Sequence, residues 1–441
     1  MSKLILLLTM TLFTILTVQF SFAADTVPPE NLANLIASAL ADNPELKSSQ
    51  SRWQMFVNKS RQTGALDDPM FMFKLQNMVV RNPTSFDKDP QTAKVIGISQ
   101  QLPFWGKRAL KQEVAQHESE SYKWAIEERK LELTRMVKET YYQLYAVDKS
   151  LEIVEKNLRI LADFTTIAES KYSVGQGVQQ DIYKAGLEKS KMLDLQITLR
   201  QQRKSLEANL NYLLYRPDAT LIGRIADFEL PKQSLSAQQL KETAYDKRPQ
   251  IKSLTSLTSK GQASRRLAQK EFYPDFNLFF EYMFREESMN DPGYNMFTVG
   301  FTFNLPLQRE RRHAMVAEAS SETTMSQEEL NALKNSISYS VNDLLAQMER
   351  RRKLVELYQG GIIPQAEQSL ESAVISYKVN KVDFLTLLDG RVNLFNYERE
   401  LYESQAEYMI KLAQIEAVIG TDLVTQNSNN LLTTETQRTQ R

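Results

Sequence analysis

Between Pro103 and Pro217 no proline interrupts the chain and glycines are few. Read as one helix, Phe104 to Val174 holds about 70 residues and runs roughly 105 Å at ~1.5 Å per residue. No compact domain contains an element of that length, so the chain has to be elongated. Val137, Leu144, Leu151 and Leu158 recur at sevens, with Val147, Val154 and Leu161 three positions after their predecessors, which is the spacing of coiled-coil packing. Further on, Val341, Met348, Val355 and Ile362 fall at matching positions, while Gly360-Gly361 and Pro364 predict a bend.

The chain repeats itself. A shift of 205 positions lays Asn43-Pro44-Glu45-Leu46 on Arg248-Pro249-Gln250-Ile251, Pro69 on Pro274, Phe71 on Phe276, Tyr172 on Tyr377 and Leu214 on Ile419. Each unit reads as helix, two strands, long helix, sharp turn, helix. The shorter helices are expected over Leu32–Leu66 and Val178–Tyr215, then Leu240–Glu271 and Val382–Ile419. The first unit is expected over 24–216, with strands at about 69–80 and 94–102 and a turn at about 173–178. A linker over 217–236 leads to the second unit, 237–423, with strands at about 274–284 and 295–305 and a turn at about 378–382. The polar tail 424–441 is expected to be disordered.

The strands alternate with period 2. Phe276, Leu278, Phe280, Tyr282 and Phe284 occupy one face of theirs, and Asn277, Phe279 and Glu281 the other. Phe297, Val299, Phe301 and Phe303 oppose Thr298, Gly300 and Thr302. In the first unit Phe71, Phe73, Leu75 and Val79 oppose Met70, Met72, Lys74 and Gln76. A strand of about 9 to 11 residues crosses a bilayer when tilted, and a charge on its lipid face costs a few kcal/mol at mid-membrane. The aromatic face is therefore expected to meet lipid, and Lys74, Gln76, Asn277 and Glu281 to line a lumen. Four strands are too few for a closed barrel with a useful lumen, which takes about 8. Three chains pooling their strands would supply twelve. A soluble sheet with one wet face shows the same alternation.

Composition narrows the function. Lys plus Arg and Asp plus Glu both number 54, which leaves no basic excess for nucleic acid. There is no cysteine and only His117 and His313, so disulfides, thiolate sites and a lipid-modified cysteine are excluded and a zinc cluster or histidine triad is disfavoured. No cofactor or metal site is expected. Lys3, the apolar run Leu4–Val18 and Ser21-Phe22-Ala23 read as a signal peptide over 1–23.

Asp68-Pro69-Met70, the run Gln101-Leu102-Pro103-Phe104-Trp105-Gly106-Lys107-Arg108, Tyr172-Ser173-Val174-Gly175, Pro364-Gln365-Ala366 and Tyr377-Lys378-Val379-Asn380 together resemble the TolC-like outer-membrane efflux family. The resemblance covers nearly all of the mature chain. It implies a mainly α protein with a small β part, assembled as a homotrimer with a twelve-stranded transmembrane barrel on a twelve-helix periplasmic barrel. Such a protein is a passive duct, not an enzyme. It sits in the outer-membrane lipid of a Gram-negative bacterium and serves an inner-membrane pump of the resistance-nodulation-division type through a periplasmic adaptor, the membrane fusion protein. The same resemblance makes Asp389 a constricting acid and Asp181 a linking acid that meets Tyr377. Thr386 stands where a second acid often lies, and Asn380 replaces the usual glycine. Gly175, Gly177, Asn380 and Lys381 mark the tip turns where an adaptor would dock. The Leu-Pro-Phe-Trp-Gly-Lys-Arg stretch looks most like the subgroup serving heavy-metal or cation pumps, with drug efflux and type I protein secretion as alternatives.

A periplasmic coiled-coil adaptor is the competing class, although it would carry compact β-domains in place of two amphipathic hairpins. An enzyme lacks any nucleophile or phosphate-loop motif to support it.

Overall fold

The computed structural model describes residues 30–231, 235–288 and 290–423. The expected signal peptide and polar tail lie outside them. In chain order the elements are α1 (Leu32–Asp42), α2 (Pro44–Thr63), β1 (Met70–Gln76), β2 (Ala93–Leu102), α3 (Lys107–Ser173) and α4 (Gln179–Leu214). The second unit repeats them as α5 (Ala237–Lys247), α6 (Pro249–Lys270), β3 (Phe276–Arg285), β4 (Met296–Phe303), α7 (Arg309–Leu357), α8 (Ile363–Lys378) and α9 (Phe384–Ile419). A π turn over Tyr358–Ile362 joins α7 to α8.

Helix α3 is unbroken over 67 residues, about 100 Å at ~1.5 Å per residue. Its heptad seam is buried as the spacing predicts: Val137, Leu144 and Val154 are fully covered, with Leu161 and Val147 nearly so. Leu151 and Leu158 are half-buried at the flank. Around α3 pack α2, α4, α6 and α9. Two apolar cores result. One surrounds Tyr141, Tyr142, Tyr145 and Ile415 in the middle of the rod. The other, around Leu161, Phe164, Leu387 and Phe395, lies toward the α3–α4 and α8–α9 turns. Each leucine or phenylalanine so buried contributes about 1.5–3 kcal/mol.

The single helices expected over Leu32–Leu66 and Leu240–Glu271 are each two. A residue before proline is pushed out of the α region, and Asn43 and Arg248 are extended with φ/ψ of −61/121° and −62/121°. Asn43 then caps α2, accepting from the backbone N–H groups of Glu45 at 3.0 Å and Leu46 at 3.3 Å. Strand β1 ends at Gln76, short of the expected 80, because Asn77 turns left-handed at φ 54°. Val79 therefore lies outside the strand.

The four strands form one antiparallel sheet in the order β1-β2-β3-β4. Strands β2 and β3, one from each unit, pair over ten residues from Ala93↔Arg285 to Leu102↔Phe276. Strands β1 and β4 are left at the edges.

Candidate channel lining and helical tip

The register puts the alternating residues of all four strands on two common faces. Phe71, Ile98, Phe280 and Val299 share one row of the apolar face. Phe71, Phe297 and Phe301 are 73, 69 and 65 % exposed, so this face has no partner among the described residues. The opposite face carries Lys74, Gln76, Asn277 and Glu281. Lys74 Nζ lies 3.0 Å from Glu281 Oε2, an ion pair that crosses β2. It crosses where β2 has Gly97, the register partner of both Met72 and Glu281. A Cβ at Gly97 would stand 3.2 Å from Phe280 O and 3.3 Å from Glu281 Cγ, so the glycine keeps the pair's path open. Gln76 is on the same face, and Asn277 Oδ1 is buried there without a hydrogen bond among the described residues.

At the far end of the rod, the α3–α4 and α8–α9 turns are built alike. Gly175 and Asn380 are left-handed at φ 75° and 59°. The Gln176 and Lys381 N–H groups reach back to the Lys171 and Ser376 carbonyls at 2.8 and 2.9 Å, a Schellman closure that ends each helix. Gly177 is tightly packed: a Cβ there would lie 3.1 Å from that of Lys171 and 3.2 Å from Tyr172 N. Asparagine tolerates the left-handed conformation at Asn380, and the side chain has a use. Lys171 donates to Asn380 Oδ1 and, at 2.6 Å, to the Tyr377 carbonyl oxygen. Its ammonium also sits 4.3 Å from the Tyr377 ring centroid.

The Tyr377 ring is buried beside Phe384, but its hydroxyl has no hydrogen-bond partner among the described residues. Asp181, expected to meet it, makes no hydrogen bond to it; it acts through charge, helping burial raise the Tyr377 phenol. Burial raises the Asp181 carboxyl as well, with Lys184 pulling it down and Asp383 pushing it up. Thr386 is occupied as a capping partner. Its N–H donates to Asp383 Oδ1 at 2.8 Å and its hydroxyl at 2.6 Å, which hold Asp383 below the usual carboxylate range. Asp389 and Lys381 are exposed.

Two groups escaped the reading of the sequence. Lys171 precedes the Tyr172 motif, and nothing local announces that it reaches the other turn. Arg391 is only 2 % exposed. Its Nε donates to Asn157 Oδ1 at 2.6 Å and its Nη2 lies 3.4 Å from Glu398 Oε2; Glu398 in turn pairs with Lys156 at 2.8 Å. Desolvation lowers the Arg391 guanidinium pKa from its ordinary value. The buried spacing Phe384, Leu387, Leu388, Arg391, Leu394, Phe395, Glu398 puts Arg391 in the seam of α9, a signal the sequence does contain.

The bend expected at Gly360-Gly361 and Pro364 takes the form of the π turn. Pro364 has no N–H to return to Gly360, and the Ile363 N–H instead bonds Tyr358 O, five residues back. The wider turn shifts the helix phase. Val341, Met348 and Val355 are buried in the heptad, whereas Ile362, expected to continue it, is only half-buried.

A paired-unit helical rod ending in an amphipathic four-stranded sheet defines a class of envelope channel subunits. The outer membrane efflux protein family model matches residues 35–214 and 240–421, and the chain belongs to that family, whose place is the outer membrane. Solved structures similar to it include VceC from Vibrio cholerae, at 16% identity and TM-score 0.75 over 88% of this chain and 96% of that one. CusC is 17% identical with TM-score 0.73 over 89% and 93%. The open state of the MtrE outer membrane channel of Neisseria gonorrhoeae is 16% identical with TM-score 0.74 over 89% of each chain. No curated protein is matched by the sequence.

Proposed function

We propose that the chain is the passive outer duct of a tripartite efflux assembly. Three copies would pool their sheets into a twelve-stranded barrel and their helices into a periplasmic tunnel. The observation that carries this reading is the sheet: β1 and β4 have open edges, and the apolar face is uncovered over its whole width. Open strand edges do not stand in lipid, so the sheet closes only by pairing β4 of one copy with β1 of the next. Lys74, Gln76, Asn277 and Glu281 then face water, and Phe71, Phe280 and Phe301 face acyl chains. Energy comes from an inner-membrane pump of the resistance-nodulation-division type, linked by a periplasmic adaptor that docks at the Gly175–Gly177 and Asn380–Lys381 turns. The tip gate is formed by Asp389, by Thr386 one turn before it, and by a latch of Asp181 and Tyr377.

The test is native mass spectrometry of the mature chain extracted in detergent from outer membranes. A trimer is expected; a monomer or dimer in the soluble periplasmic fraction would overturn the barrel. The latch is tested separately, by a raised single-channel conductance of Asp181→Ala in a planar bilayer.

Soft heavy-metal cations are the cargo that one further observation favours. Met283 pairs with Met296 on the face that also carries Met70 and Met72, and thioethers suit such ions. Loss of silver or copper tolerance on deleting the gene, with drug tolerance intact, would bear this out; the reverse pattern would point to drug efflux.

A further inference from the structure

We propose that the junction of sheet and helices seats an anionic glycerophospholipid of the periplasmic leaflet. A recess of about 450 Å3 opens there, lined by Leu66, Leu102, Phe104, Trp105, Arg108 and Phe276 among others. Leu102 and Phe276 are register partners on β2 and β3, the inner strands of the sheet. They continue the apolar face that meets lipid in the barrel, and edge pairing through β1 and β4 leaves them uncovered. Trp105 is 76 % exposed, with its ring 5.9 Å from that of Phe276 and 5.6 Å from that of Phe104. An indole placed so, apolar body on an apolar floor and N–H without a partner among the described residues, suits the headgroup boundary of a bilayer.

Charge selects the occupant. Elsewhere the rod is laced with ion pairs, and even neighbouring Lys107 is buried between Glu271 at 3.2 Å and Asp275 at 3.0 Å. Arg108 differs. Its Nε donates to the Gly64 carbonyl at 3.1 Å, which fixes the guanidinium at the rim, and its terminal nitrogens have no partner among the described residues. Arg61 in the last turn of α2, Lys111 one turn into α3 and Lys270 at the end of α6 also make no ion pair with a carboxylate among those residues. Lys270 instead lies 5.5 Å from the Phe104 and Tyr273 ring centroids, beside the recess wall. Asp67 and Asp68 in the connection to β1 are the counterweight, so the segments bordering the recess carry four cations without a carboxylate partner among the described residues against two such carboxylates. A fixed guanidinium beside an apolar trough matches a phosphodiester with an acyl chain below it. The surplus positive charge favours a headgroup such as phosphatidylglycerol, with no amine of its own, over a zwitterionic one.

This site goes beyond the duct reading and requires only that the sheet stand in a bilayer. The test is quenching of Trp105 fluorescence in reconstituted trimers, taken as the difference between the unaltered protein and Trp105→Phe. The vesicles are phosphatidylcholine doped with either phosphatidylglycerol or phosphatidylcholine brominated high in the acyl chain. Brominated phosphatidylglycerol is expected to quench the Trp105 signal more strongly, and Arg108→Gln to reduce that preference to none. Equal quenching by the two lipids, absence of quenching by either, or a preference that survives Arg108→Gln would overturn the proposal. Native mass spectrometry of each variant checks the trimer, and phosphatidylglycerol retained by the extracted unaltered trimer gives a second readout. Single-channel conductance of the same samples separates a failed lipid site from a failed duct.

Discussion

Arg391 on α9 donates to Asn157 on α3 through a 2.6 Å hydrogen bond with both residues buried, so the two helical hairpins of the tip are tied by polar groups inside an apolar seam. Burying a guanidinium is expensive unless its partners stay in place. Arg391→Ala strands Asn157 and leaves Glu398 with Lys156 as its one remaining cation, and is expected to destabilise the tip by roughly 3 kcal/mol, in the range for breaking a buried pair. The double change Arg391→Met with Asn157→Leu removes both sides of the bond and is expected to recover most of the loss. Denaturant titration followed by tip-directed proteolysis reads both.

The Lys171 tether gives a second expectation. Lys171→Met keeps the aliphatic stem but loses the contacts to the Tyr377 carbonyl and Asn380. Asn380→Gly keeps the left-handed turn and loses only the acceptor. In planar bilayers Lys171→Met is expected to raise single-channel conductance, with Asn380→Gly between it and the unaltered trimer. Identical conductances in all three would remove the tether from the gate.

Acidity should act on the same tip. Burial, opposed by Lys184 and reinforced by Asp383, raises the Asp181 carboxyl, so the folded tip binds that proton more tightly than the unfolded chain does. Its contribution is complete below the unfolded value of about 3.9 and is lost as pH rises through the higher folded value. Asp383 titrates lower because of Thr386 and stays charged across this window, with Tyr377 neutral throughout. Conductance is expected to fall on acidification through the window, and Asp181→Asn to abolish that dependence.

The Lys74–Glu281 pair, on the face proposed to line the lumen, predicts selectivity. Glu281→Gln leaves Lys74 unbalanced, three times over in the proposed trimer, and is expected to shift the reversal potential in a KCl gradient toward anion preference. Lys74→Gln should shift it toward cations. Exchanging the two charges should return it near the starting value, because rings of fixed charge set ion preference in pores.

The architecture was legible because period and length are coarse signals that tertiary context cannot disguise: a seven-residue seam, period-2 strands, and a two-copy register. The breaks at Asn43 and Arg248 were also written in the sequence, as X-Pro pairs, but the helical pattern on either side masked them. Less legible were contacts between residues far apart in the chain. Lys171 meets Tyr377 across 206 positions, and only the packing of the two turns brings them together. Asp181 and Thr386 show the limit of motif position. One influences its expected partner through charge without a hydrogen bond, and the other spends its hydroxyl on capping α9.

Open edges at β1 and β4 bear on how such a chain comes into being. A lone copy carries two unsatisfied strand borders flanking a wide aromatic face, which is a template for mispairing with any passing strand. In the proposed trimer, folding of the sheet, entry into the bilayer and association of copies would then be a single event, with a yield that depends on protomer concentration rather than on a stability that each chain owns.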